Sequence, residues 1–76
     1  MARSARADIK RGLGQRVRDR RLSLNMSQED LASEADIRRA LISEIERGEA
    51  NPTLESVIRI ASALRVSLSE LFDRRP

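Results

Sequence analysis

The chain has 76 residues, of which 36% are charged, and it contains neither cysteine nor histidine. Disulfides and Ser–His or Cys–His nucleophiles are therefore excluded, and no glycine-rich phosphate loop is present, so we expect no enzyme activity and no cofactor. A transition-metal site is not expected either. No apolar run approaches membrane-spanning length and nothing resembles a secretory signal, so we expect a cytoplasmic protein without a membrane partner.

The charge is distributed unevenly along the chain. Residues 1–21 contain eight basic and two acidic residues, a balance of +6, whereas residues 22–76 contain seven and ten, a balance of −3. This asymmetry indicates attraction to a polyanion, although a solvated basic helix has the same composition. We predict a flexible basic arm over residues 1–8 and a folded domain over residues 9–76. Arg3 and Arg6 of this arm could enter a minor groove, or the arm could make no contact.

Helical spacing of apolar residues occurs throughout and strand-like alternation is absent, which predicts a compact all-α fold of five short helices. A first helix is predicted over residues 9–24, followed by Asn25 as a left-handed stop. Ser27 and Asp30 have the spacing of a capping box for a second helix. Asp36 enters the left-handed region at little cost, so a tight turn is predicted there. The inward residues of these two helices are predicted to be Leu13, Val17, Leu24, Leu31, Ala32 and Ala35.

Three further helices are predicted after this turn. The third spans residues 38–48 and ends in a loop that contains Pro52. Thr53 is predicted to cap the fourth helix, and Ser67 and Glu70 have capping-box spacing for a short fifth helix. The predicted inner face of the fourth helix is Leu54, Val57, Ile58, Ala61 and Leu64.

The third helix has an unusual polar face. Stepping about 100° per residue places Ile42 and Ile45 on one side and a set of polar and small residues on the other. A solvated helix face would carry long charged side chains at its centre as well as at its edges. The opposite side here is Arg39, Ala40, Ser43, Glu44 and Arg47. The small side chains at the centre of this face and the arginines at its edges suit contact with a duplex groove. From the pattern alone, a solvated face is an equally good interpretation.

The spacing of helices two and three favours groove contact. Residues 28–47, "QEDLASEADIRRALISEIER", read as helix, tight turn and helix. A small residue, Ala32, stands where the two helices must cross closely. This is the helix-turn-helix arrangement, in which the second helix is presented to DNA.

Four segments in order, "SQEDLA", "ISEIERG", "NPTLESVIRIASAL" and "VSLSELF", resemble the phage-repressor-like (lambda-repressor-like) helix-turn-helix family, also called Xre or Cro/cI. Within that family the chain most resembles small stand-alone regulators, including the controller proteins of restriction–modification systems. The resemblance covers residues 13–72. It implies a five-helix DNA-binding domain that regulates transcription.

The resemblance also implies roles for individual residues. The positions that match base-reading residues are Arg39, Ala40, Ser43 and Glu44. Gln28 matches a glutamine that contacts a DNA phosphate and braces the recognition helix, and the other implied phosphate contacts are Arg38, Arg47 and Asn51. Arg21 and Glu46 match an ion pair that joins helix one to helix three. The alternative for that pair is two unconnected surface charges.

A homodimer is expected on two grounds. A core of this size is near the lower limit for independent stability, and a lone helix-turn-helix reads too few base pairs to specify a site. The resemblance implies a dimer contact around the fifth helix, where Leu68 and Phe72 are the candidates. The alternative is that Phe72 fills the core of the monomer.

The sequence therefore predicts a sequence-specific regulator that binds double-stranded DNA as a homodimer on a two-fold-symmetric operator, through the helix at residues 38–47. The alternative is a protein-interaction module of the same fold that does not read bases. The chain is too short for a separate sensing domain, so no small-molecule ligand is expected. The operator, the regulated gene and the sign of regulation are not determined by the sequence.

Overall fold

The computed structural model describes residues 5–72, and all regular structure within them is helical. The five elements are α1 (Ala5–Ser23), α2 (Gln28–Ala35), α3 (Arg39–Glu46), α4 (Leu54–Leu64) and α5 (Leu68–Leu71). The predicted all-α, five-helix fold is confirmed. Within residues 5–72, no helix is both long enough and apolar enough to cross a bilayer. The predictions for residues 1–4, including Arg3, and for residues 73–76 lie outside the described residues.

Helix α1 begins earlier than predicted. Its first residue is Ala5, so residues 5–8, assigned to the arm, belong to the helix. The local sequence accounts for this extension, because alanine and arginine are strong helix formers and Asp8 stands in the first turn, where negative charge is favourable. Asp8 also pairs with Arg11 one turn later, at 3.8 Å between Oδ1 and Nη1.

The predicted caps are present. Ser27 Oγ accepts a hydrogen bond from the Asp30 amide at 2.9 Å, and Asp30 Oδ2 accepts one from the Ser27 amide at 2.9 Å. Ser67 and Glu70 form the same reciprocal box at the start of α5, and Thr53 caps α4. Helix α3 differs, because its N-cap residue, Arg38, makes no side-chain capping bond. With only eight residues and no such cap, α3 depends on packing for its stability.

Within the described residues 5–72, three non-glycine residues adopt the left-handed conformation, and each follows a helix. Asn25 (φ 58°) and Asp36 (φ 57°) do so as predicted. Arg65 (φ 59°) ends α4 in the same way, and the sequence did not indicate it because no glycine or asparagine stands there.

The core is a single cluster to which all five helices contribute. Its largest fully buried side chains are Val17, Leu31, Ile42, Ile45, Ile60, Leu64 and Leu71. Leu24, Ile37 and Leu41 are partly buried against this cluster. The inner faces predicted for α2 and α3 are therefore confirmed.

The predicted inner face of α4 is partly wrong. Val57, Ala61 and Leu64 are buried, but Leu54 is 67% exposed and Ile58 is 47% exposed. Ile60, which the prediction omitted, is 1% exposed. Helix α4 is apolar over more than one face, and the packing of α2 against it determines which stripe turns inward.

Helix α1 crosses α3 at very short range. A Cβ atom on Gly14 would lie 2.2 Å from the Ile45 carbonyl oxygen and 2.9 Å from that of Glu46, so only glycine fits at this crossing. Farther along α1, Arg20 Nε donates to the Leu64 carbonyl at 2.9 Å and joins α1 to the end of α4. The first contact packs α1 against α3, and the second joins α1 to α4.

Candidate nucleic-acid interface

The outward face of α3 matches the predicted recognition surface in shape. Arg39, Ala40 and Glu44 are exposed, Ser43 is half-buried, and Arg47 stands exposed at the end of the helix. Ile42 and Ile45, on the opposite side, are 0% and 2% exposed. The structure therefore brings the four candidate base-reading residues to one accessible face with small side chains near its centre.

Arg47 is bound to its neighbours in the free protein. Its Nη1 donates to the Ser43 hydroxyl, and its Nε lies 3.0 Å from Glu49 Oε1. The ion pair of Arg47 with Glu49 is exposed and therefore contributes little to the stability of the fold. The contacts hold the guanidinium of Arg47 against the end of α3, next to the exposed face.

Arg21 and Glu46 form the predicted ion pair. The Nε–Oε2 distance is 2.7 Å and the Nη2–Oε1 distance is 3.0 Å, with side chains only 10% and 5% exposed. Arg21 Nη1 also donates to the Met26 carbonyl at 2.8 Å. The hydrogen bond to Glu46 raises the pKa of Arg21 above its ordinary value, so the guanidinium remains charged. The alternative of two unconnected surface charges is wrong.

Gln28 extends this pair to α2. Its Nε2 donates to Glu46 Oε1 at 3.1 Å, which places the first residue of α2 beside the end of α3. Glu46 thus receives hydrogen bonds from two different helices. This hydrogen bond is the contact that the predicted bracing role requires, whereas the contact of Gln28 with a DNA phosphate stays a prediction.

The turn between α2 and α3 has a support that sequence reasoning missed. Arg59 of α4 donates through Nη1 to the Asp36 carbonyl at 3.2 Å, and it lies 3.7 Å from Asp36 Oδ2. Glu55 orients Arg59 through a bond of 3.1 Å to Nε. An arginine on an exposed helix face gives no sequence signal for such a contact.

The remaining phosphate candidates flank α3. Arg38 is exposed at the N-cap of the helix, and Asn51 is exposed in the loop that joins α3 to α4. The adjacent Ala50 is 8% exposed and anchors this loop in the core. Gly48, with φ of 75°, begins the loop in the left-handed conformation.

A second surface is apolar. Leu68 of α5 is 37% exposed and Phe72, the C-cap residue of this helix, is 42% exposed, whereas Leu71 is 2% exposed and joins the core. The alternative in which Phe72 fills the core of the monomer is therefore wrong. Leu54 and Ile58 are exposed apolar residues of α4.

Two helices joined by a tight turn, the second with an exposed polar face, form the helix-turn-helix arrangement, whose second helix lies in the major groove of DNA. Fold and site together define the class of helix-turn-helix regulators that bind DNA and control transcription. A sequence profile described as Helix-turn-helix (HTH_3) matches residues 17–71. The chain belongs to this family.

Its relatives include regulators of restriction–modification systems. The chain is 51% identical over 61 residues to control protein C.BamHI of Bacillus amyloliquefaciens, covering 79% of this chain and 75% of that protein. It is 41% identical over 68 residues to control protein C.SmaI of Serratia marcescens, covering 90% and 81%. The crystal structure of the restriction–modification controller protein C.AhdI from Aeromonas hydrophila superposes with a TM-score of 0.80 at 35% identity, over 83% of this chain and 96% of that one.

Proposed function

We propose that the protein is a controller-type transcriptional regulator that acts in the cytoplasm and reads a two-fold-symmetric operator as a homodimer. The observation that carries this proposal is the outward face of α3, which is low at its centre and held in place by the buried Arg21–Glu46 pair. A helix anchored in this way can enter the major groove without reorganising, which favours tight and selective binding.

Each base-reading residue has a distinct proposed contact. Arg39 can donate two hydrogen bonds to the O6 and N7 atoms of guanine. Ala40 can contact a thymine methyl group, and Ser43 can donate to or accept from a base edge. Glu44 can accept from the N4 amino group of cytosine and repel bases that present only acceptors. Arg39 is the residue on which specificity should depend most.

The phosphate contacts are proposed to set the register of α3 without reading sequence. Gln28 lies at the amino end of α2, where free backbone amides also favour an anion. Arg38 and Arg47 lie at opposite ends of α3, and Asn51 lies in the following loop. Arg47 can exchange its contact with Glu49 for a phosphate, because that ion pair is exposed.

Dimerisation is proposed through the apolar surface of α5. Leu68 and Phe72 are about two-fifths exposed, and a large apolar patch on a small domain marks an interaction site. The exposed Leu54 and Ile58 of α4 are proposed to enlarge this interface. Two copies related by a two-fold axis would present their α3 helices to half-sites roughly 34–36 Å apart.

The test is selection of bound duplexes from a random pool at about 0.15 M salt, close to physiological ionic strength. The wild type is compared with Arg39→Ala and with Arg65→Ala, which removes the same charge away from α3. We expect the wild type and Arg65→Ala to recover one two-fold-symmetric site. Arg39→Ala should lose or relax one position in each half-site, at a cost of roughly tenfold or more in affinity.

Weak, salt-sensitive binding that is equal for all sequences and all three proteins would contradict base readout by α3. A protein partner for this fold would then be the alternative to pursue. A selected site without two-fold symmetry would contradict the homodimer while leaving base readout intact.

A further inference from the structure

The amino-terminal half of α1 runs past the end of α3 and alongside the loop that follows it. Gly14 of α1 lies against the carbonyl oxygens of Ile45 and Glu46. One turn earlier, the Cα atom of Arg11 lies 3.3 Å from the position that a Cβ atom on Gly48 would occupy. The backbone of α1 at Arg11 is therefore packed against the loop that carries Asn51, a proposed phosphate contact.

This end of α1 is basic. Lys10 precedes Leu13 by three residues and Gly14 by four, so it continues the inner face of the helix beyond the crossing with α3. The side chain of Arg11 is 60% exposed. The nearby acidic groups are Asp8, which pairs with Arg11 at 3.8 Å, and Glu49, which pairs with Arg47 at 3.0 Å. Both pairs are exposed at the arginine, so a phosphate can compete for each guanidinium.

The extension lies outside the segment that defines the family. The family profile begins at residue 17, whereas α1 begins at Ala5. Lys10 and Arg11 are therefore not part of the matched helix-turn-helix segment. Arg11 lies beside Gly48 of the loop after α3, and Lys10 precedes it on the helix, so both adjoin the proposed DNA surface.

We propose that Lys10 and Arg11 form an outer clamp on the phosphate backbone of the same duplex, at the edge of the half-site next to the loop at residues 47–53. This inference rests on the proposed function, because the duplex must already be seated on α3. Because the clamp is part of a helix that is already formed, it loses little conformational entropy when it binds DNA. It contacts phosphates only and therefore adds affinity without altering the preferred sequence.

The clamp is tested by measuring the affinity for the selected operator as a function of salt concentration. We expect Lys10→Gln and Arg11→Gln each to weaken binding by roughly three- to tenfold near 0.1 M salt and to reduce the slope of log K against log salt by about 0.9 per lost phosphate contact. Asp8→Asn removes a competing carboxylate and should change affinity in the opposite direction. The matched control is Arg18→Gln, which removes one exposed charge from the same helix farther from the loop.

Ethylation interference on the operator locates the contact. Wild type and Arg18→Gln should share interfering phosphates at the outer edge of each half-site, and these should disappear with the Lys10 and Arg11 variants. The base preferences should be the same for all of these proteins. If Lys10→Gln and Arg11→Gln match Arg18→Gln in affinity, salt slope and interference pattern, the clamp is wrong, and readout by Arg39 remains intact. Loss of selectivity in the wild type itself would instead contradict the proposed function.

Discussion

The guanidinium of Arg21 and the carboxylate of Glu46 meet through two hydrogen bonds of 2.7 and 3.0 Å, across the junction of α1 and α3. Both side chains are almost fully buried. Gln28 donates a further hydrogen bond to Glu46, and the Met26 carbonyl accepts one from Arg21. Removing one partner would leave an uncompensated charge in the interior, which costs far more than the pair contributes as a whole. The pair therefore makes the position of the recognition helix sensitive to single substitutions.

Arg21→Met and Glu46→Gln are each expected to lower the free energy of unfolding by about 3 kcal/mol, because each leaves the other charge buried without its counterion. Urea unfolding at neutral pH measures this loss. The double variant Arg21→Met/Glu46→Gln should be destabilised by clearly less than the sum of the single changes. Additive losses would mean that the two residues act independently.

Gly14→Ala is expected to destabilise the domain by about 1–3 kcal/mol, since the new Cβ would overlap the backbone of α3 and force the helices apart. The close atom is the Ile45 carbonyl oxygen at 2.2 Å, which cannot rotate away. Gly12→Ala is the matched control, because no atom lies within 4 Å of its added Cβ, and it should stabilise α1 by about 0.5–1 kcal/mol. Thermal unfolding of both variants should give shifts of opposite sign. Equal shifts would argue against the close crossing.

The capping boxes make stability depend on acidity. The backbone amide of Ser27, and then its side chain, hold the pKa of Asp30 below its ordinary value of 3.8, and Ser67 lowers the pKa of Glu70 below 4.5 in the same way. A carboxyl whose pKa is lowered on folding contributes stability above its unfolded pKa and loses it as the pH falls through the folded pKa.

Asp30→Asn should therefore destabilise the domain at pH 7, with a difference from wild type that shrinks as the pH falls below 3.8. Urea titrations over this range measure the effect. Ser27→Ala retains the backbone donor, so in that background the pH dependence of Asp30→Asn should be reduced but not abolished. A difference that is constant with pH would contradict the capping contribution.

Arg65→Gly is expected to raise stability by about 1 kcal/mol, because Arg65 has a left-handed conformation that glycine adopts without steric cost. Asp36→Gly should gain less. Aspartate already tolerates this conformation, and the variant would lose the contact of the Asp36 carboxylate with Arg59 while keeping the bond to the backbone carbonyl. Comparison of the two melting temperatures checks the order. A larger gain at Asp36 would mean that its link to Arg59 does not support the turn.

Phe72→Ser and Leu68→Ser are expected to shift the protein from dimer to monomer, because each removes apolar area from the proposed interface. Sedimentation over a range of concentrations measures the shift. Leu22→Ser is a suitable control, since Leu22 is an apolar residue of α1 that is 50% exposed and is not part of the proposed interface. If the Leu22 variant dissociates as much as the others, or if the wild type is monomeric throughout, the interface is wrong.

The sequence predicted most features that depend on local patterns. Each of these features depends on residues within one helix or turn. They are the capping boxes at Ser27 and Ser67, the turn at Asp36 and the inward face of α3. The ion pair of Arg21 with Glu46 came from the family resemblance, since 25 residues separate its members and no local rule connects them.

Features that depend on packing were missed. A glycine inside a helix predicts lower helix stability and does not by itself indicate a close crossing of two helices. The role of Gly14 was therefore not apparent. Helix α4 offers more than one apolar stripe, and only its packing partners reveal that Ile60 turns inward while Leu54 and Ile58 do not. The support of Asp36 by Arg59 likewise requires the positions of two separate helices.

Helix α3 has eight residues, and its N-cap, Arg38, makes no side-chain capping bond. A segment of this length is mostly unfolded in water, where stable helices need roughly 12–15 residues. A synthetic peptide of residues 37–48 would therefore lack the spatial arrangement of its arginines, and grafting those side chains onto another short peptide would not transfer specificity. The smallest unit that can recognise an operator is the whole domain, so any substitution that unfolds its core also removes recognition.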